Sequence, residues 1–146
     1  MFSLADFTAV LQSDWDSLSS DDAPTQFPGM PLDATRLSRW YEFWITQVSQ
    51  PPARRGRQDQ LQFLIDVHCY SRSMDKRQVM KMADRVRTHL VHRVLPMEAC
   101  DSSETSASII RLYESTVRDL TRESQGEPRL PLQHIVVSLI GTVDGL

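Results

Sequence analysis

Residues 60–70, "QLQFLIDVHCY", carry the cleanest alternation in the chain, and their reading decides the fold. Leu61, Phe63, Ile65, Val67 and Cys69 fall on one side of an extended backbone. Gln60, Gln62, Asp66 and His68 fall on the other, with Leu64 the exception. Side chains of a strand point alternately to its two faces, so this is a half-buried antiparallel strand. The stretch ahead of it, "RLSRWYEFWITQVS" (36–49), reads as a long strand as well. Tyr41, Phe43 and Ile45 are expected on one face, and Trp40, Trp44 and Val48 on the other. Apolar groups on both faces call for cover on both sides. A helix of this chain can supply one cover, and a neighbouring subunit is the candidate for the other. Between the strands, a loop at about 49–59 contains Pro51, Pro52, Arg54, Arg55, Gly56 and Arg57, which makes the pair a long β-hairpin with a basic tip. Loops longer than the usual hairpin connection tend to carry function.

Outward from this hairpin, two stretches have helical periodicity. In residues 3–19, Leu4, Phe7, Leu11, Trp15 and Leu18 form one apolar stripe. Ser3 is placed to cap that helix, with Phe2 and Phe7 as a hydrophobic staple. The second helix is expected over about 74–92, capped by Ser73, with Asp75 in its first turn and Val79, Met82, Ala83, Val86 and Leu90 as its buried stripe. Pro96 follows and prevents its continuation. The last third is β again: 107–120 alternates loosely, and 130–143 is strongly β-branched, with a charged turn between. The expected fold is α+β, one domain over 1–146. Its order is α-β-β-α-β-β, a mostly antiparallel sheet of four to five strands with two helices packed on one face.

Composition narrows the function classes. A net charge of −3, from 16 basic and 19 acidic residues, argues against a dedicated nucleic-acid binder. No apolar run is long enough to span a membrane, and the N-terminus "MFSLADF" lacks the basic start of a secretory signal. Cys69 and Cys100 lie in unrelated surroundings and read as free thiols of a soluble protein in a reducing compartment.

Catalytic signatures are absent: there is no G-x-S-x-G, P-loop, G-x-G-x-x-G, H-E-x-x-H or C-x-x-C. No enzyme activity, no catalytic residue and no cofactor is expected. His89 and His92 sit near a helix end, where the dipole favours them, and His68 and Cys69 point to opposite faces of a strand, so no metal site is assigned. The candidate contact residues are Arg36, Trp40 and Trp44 on or beside the aromatic strand, and Arg54, Arg55 and Arg57 in the basic loop. Aromatics and arginines concentrate in protein interfaces, and this reading is preferred over a base-stacking platform or a phosphate site. A solvated turn that blunts edge pairing is the plain alternative for the loop.

The order of these features is similar to one family. An N-terminal helix is followed by "DDAPTQFPGMPLD", the aromatic strand "RWYEFWITQV", a basic loop around Gly56, the strand "LQFLIDVHCYSR" and the helix "KRQVMKMADRVRTHL". The chain thereby resembles the tail terminator (tail completion, minor tail protein U-like) family of long-tailed bacteriophages. The matching positions are Ala23, Pro24 and Phe27–Pro31, Trp40 to Ile45, Arg55 to Phe63, and Ala83, Asp84 and Val86. The resemblance covers roughly residues 1–92 and the final strand. It implies a structural virion protein, assembled in the host cytoplasm, that forms a hexameric ring at the head-proximal end of the tail. The ring caps the tail tube, stops its polymerisation and presents a surface for head–tail joining. Its implied partners are further copies of itself, the tail tube protein and a head-completion or neck protein, with DNA passing through the lumen and no membrane. A monomer before assembly is compatible with this. The alternatives are a head-completion or neck ring protein and, from another class, a small nucleic-acid-binding or regulatory α+β domain.

Overall fold

The computed structural model describes residues 3–19, 22–50, 60–97, 108–121 and 132–144. Helix α1 (Leu4–Ser19) leads to a two-residue strand β1 (Thr25–Gln26), a short 3₁₀ turn (Ala34–Arg36) and strand β2 (Arg39–Ser49). Strand β3 (Gln60–Arg72), helix α2 (Lys76–Leu90), and strands β4 (Val94–Met97), β5 (Ser108–Asp119) and β6 (Leu132–Asp144) complete the order. The strands form one six-stranded sheet in the order β1-β2-β3-β6-β5-β4. All neighbours are antiparallel except β1 and β2, which run parallel, so the sheet is mixed.

The class is α+β with two helices, as expected, but six strands replace four to five. The additional ones are β1 and β4. Pro96, expected only to stop a helix, lies inside β4. A proline has no N–H to give a ladder, and β4 tolerates it because it is the outermost strand at its end of the sheet.

Both helices share one hydrophobic core with one face of the sheet. Phe7, Leu11 and Trp15 of α1, and Val79, Met82, Ala83, Val86 and Leu90 of α2, are buried together with Tyr41, Phe43, Phe63, Ile65, Val67, Ile135, Val137 and Leu139. The Phe7 and Phe63 rings meet edge to face at 4.7 Å, and Trp15 meets Tyr41 in the same way at 5.2 Å. Helix α1 also reaches the far end of the sheet, where Asp14 takes two hydrogen bonds from Arg93, just ahead of β4. Contact with both ends means that the sheet curls around α1. The connector after α1 is fixed by Asp22. Its carboxylate accepts the Tyr41 hydroxyl at 2.5 Å and pairs with Arg85 of α2.

Three local details depart from the sequence reading. Leu4 is 56% exposed and lies off the buried stripe of α1, which ends on Ser19 instead. Asp75, not Ser73, is the N-cap of α2. Its side chain accepts the Arg77 N–H, while Ser73 Oγ accepts the Asp75 N–H one step earlier. Ser3 does cap α1, accepting the Asp6 N–H at 3.2 Å. Finally, a bulge between Ile45 and Gln47 shifts the β2–β3 register, so that Val48 pairs with Phe63. Val48 therefore lies on the helix side with Phe43 and Ile45, not with Trp40 and Trp44, because the extra residue of a bulge reverses the alternation beyond it.

Candidate partner-binding face

With both helices on one side, the other face of the sheet is left, among the described residues, to its own side chains. Cross-strand register arranges them in rows, because directly paired residues point the same way. Trp40, Tyr70 and His134 form one row, and Glu42, His68, Val136 and Arg118 the next. Trp44, Asp66, Ser138 and Thr116 follow, and then Leu64 with Ile140.

The first two rows pack into an aromatic stack. Trp40 lies on Tyr70 at 4.9 Å and 14°, and Tyr70 lies on His134 at 4.3 Å and 16°. His68 Nδ1 and His134 Nε2 share a 2.8 Å hydrogen bond, in which one neutral imidazole donates and the other accepts. The Arg72 guanidinium sits over the Trp40 ring at 5.2 Å, held by hydrogen bonds to the Leu37 and Ala34 carbonyls. The Trp40 ring is thereby enclosed. Its Nε1 is buried with no hydrogen-bond partner among the described residues.

Electrostatics follow from this enclosure. Burial holds His68 below the ordinary imidazole value, against the opposing pull of Glu42 and Asp66 and with a lesser push from Arg118 in the same direction. Burial and the neighbouring His68 lower His134, against Glu42 and Asp119. The Tyr70 phenol is pushed up to about 12 by burial, with Glu42 and Cys69 adding to it. Both imidazoles are therefore favoured in the neutral form, and the hydrogen bond between them needs at least the accepting ring to be so.

The rows beyond the stack are more open. Ser138 donates to Asp66 at 2.5 Å, and Trp44 Nε1 donates to Glu42 at 3.2 Å. Past them, the face turns apolar: Ile140 is 57% exposed, Leu64 beside it is half-buried, and Tyr113 lies open with its hydroxyl on Thr142.

Of the sequence candidates, Trp40 and Trp44 come to this one face. Trp40 is only 4% exposed, so Trp44 is the one that meets solvent in the isolated subunit. Arg36 ends the exposed 3₁₀ turn, and the arginine on Trp40 is Arg72 instead. Arg54, Arg55 and Arg57 lie outside the described residues, as do Cys100 and Phe2. Cys69 is a buried free thiol on the core side, its ionisation pushed far up by burial. Sequence reasoning missed His68, Tyr70, Arg72 and His134 as a group. Their signal is partly present, since "HCYSR" puts His68, Tyr70 and Arg72 on one face by simple alternation. Their meeting with His134 depends on the β3–β6 register, which alternation alone does not supply.

Among the described residues no group of three or more His, Cys, Asp or Glu is placed to hold a metal, and no helix is long and apolar enough to cross a membrane. No family model matches the chain, and no curated protein matches it.

Proposed function

We propose that this protein is a structural virion subunit, a tail terminator. Its copies form a ring that caps the phage tail tube, ends tube polymerisation and offers a surface for head–tail joining. The order of motifs over residues 1–92 supports this reading, and the observation that carries it is the one-sided sheet. Both helices cover one face, while Trp44, Leu64, Tyr113 and Ile140 stand on the other among polar residues. Apolar and aromatic groups in a polar surround are the composition of a protein contact surface. In the ring, that surface meets the next copy, the tube or the neck protein. The base-stacking alternative loses its best platform, because Trp40 is buried, stacked on Tyr70 with the Arg72 guanidinium over its ring.

The test uses tail tubes assembled without this protein and examined by negative stain before and after it is added. A ring is expected on one end of each tube, and no further growth afterwards. Tubes that reach normal length and join heads in its absence overturn the proposal. A ring that binds heads and not tubes replaces it with the head-completion reading.

A further inference from the structure

Among the described residues the sheet has two open stretches of backbone edge, and their geometry is mutually complementary. At one end, β1 pairs only with Tyr41 and Glu42, which leaves the outer edge of β2 from Phe43 to Ser49 unpaired among the described residues. At the other end, β4 pairs with Ser108 to Arg111, and the Leu112 N–H bonds Arg93. Beyond that point the outer edge of β5, through Ser115 to Asp119, is likewise unpaired among the described residues.

The direction of the backbone groups follows from the hydrogen bonds. The Tyr41 N–H points outward to Pro24, while the Ser38 carbonyl points inward to Arg72, so Phe43 and Ile45 also present N–H and C=O outward. On β5, the Leu120 N–H points inward to His134, so Ser115, Val117 and Asp119 present theirs outward. The side chains of these outward residues all lie on the helix side, since β5 pairs them with Leu139, Val137 and Ile135. Two valines at these edges are unusually open for that side: Val48 at 40% and Val117 at 47%.

Three antiparallel steps separate β2 from β5 through β3 and β6, so the two strands run in opposite directions. A second copy in the same orientation would therefore bring its β5 antiparallel to this β2. Residues 43–49 carry no charge, and residues 115–119 carry one of each sign, Arg118 and Asp119, so no like charges are brought together. We infer that the β2 edge of one copy pairs with the β5 edge of the next, joining the sheets and covering Val48 with Val117. This contact is head-to-tail, the kind that generates a ring when its rotation closes. The inference rests on the ring reading and names the strands that make the ring.

The experiment is cysteine cross-linking in the full chain, in a Cys100→Ser background, with a short bismaleimide. Three proteins are compared, Val48→Cys, Val117→Cys and the double variant, each free at high concentration and on tail tubes. Both valines are exposed, so these changes leave the core intact. The double variant is expected to give a ladder of covalent multimers, and an equal mixture of the two singles to give dimers that neither gives alone. Rings seen by microscopy without cross-links place the ring contact elsewhere, overturning the edge pairing while leaving the ring reading standing. Dimers from a single variant alone indicate a two-fold contact and also overturn it. A protein that neither cross-links nor assembles on tubes removes both.

Discussion

Gly141 is a point where the core leaves no room for a side chain. It is the β6 partner of Phe63, and a Cβ built on it would overlap the Phe63 ring, so the aromatic occupies the space that a side chain would need. Gly141→Ala is therefore expected to cost about 1–3 kcal/mol through overpacking. Phe63 is 2% exposed and lies against Phe7, so Phe63→Ala is expected to cost about 3–5 kcal/mol. The two changes should not add. With the ring gone, Gly141→Ala fills part of the cavity, and urea denaturation of the four proteins of the cycle should show the double variant less destabilised than the sum. The His68–His134 pair makes a second prediction at this scale. Both values are lowered in the folded state, so the unfolded chain binds protons more readily. The contribution of the pair is complete above the unfolded value of about 6.5 and is lost as pH falls through it toward the folded values. Protonating both rings also leaves two donors facing each other. Melting temperature is expected to fall between pH 7.5 and 5 more steeply in the wild type than in a His68→Gln, His134→Gln variant; equal slopes would remove the pair from the account.

At the scale of elements, strength of pattern separates what the sequence foretold from what it did not. β3 and α2 were readable because thirteen and fifteen residues keep one period throughout, and the expected stripe Val79, Met82, Ala83, Val86 and Leu90 is the buried one. β1 is two residues long and β4 four, too short for a period to show, and both exist because a longer neighbour offers them an edge. Val48 went to the wrong face because a bulge is a property of pairing, not of one strand's composition. The direction of backbone groups, equally invisible in the sequence, gives the prediction for β5. The Thr116 N–H points to β6 and the Val117 N–H points outward, by the alternation that the Leu120 bond fixes. Thr116→Pro removes an inner ladder bond and strands its acceptor, an expected cost of about 1–3 kcal/mol. Val117→Pro should cost clearly less in the isolated subunit. Thermal denaturation of the two variants checks the order, and a reversed order would mean that the edge is not where the bonding pattern puts it.

At the scale of the whole molecule, the two views of the candidate surface complement each other. Strand alternation placed Trp40 and Trp44 on one face, while the stack of Tyr70, His68 and His134 that encloses Trp40 needed the β3–β6 register to be seen. If residues 54–57 bear on the proposed assembly, they do so through their charge. The chain carries a net −3, and Arg54, Arg55 and Arg57 concentrate positive charge within four positions of one connection between β2 and β3. Surface charges contribute little to folding, typically within about ±0.5 kcal/mol each. Replacing all three with serine is therefore expected to leave the melting behaviour of the isolated subunit nearly unchanged. If the loop contacts the next copy or the tube, the same variant should form rings on tubes less completely, with the deficit largest at low salt and narrowing at high salt, where screening weakens the same contacts in the wild type. Tube-capping yield, counted in micrographs at low and high salt, measures this directly. A triple variant that caps tubes as well as the wild type would make the arginines a solvated turn. One that unfolds would place them in a buried network, and the contact surface would then reduce to the open face and its edges.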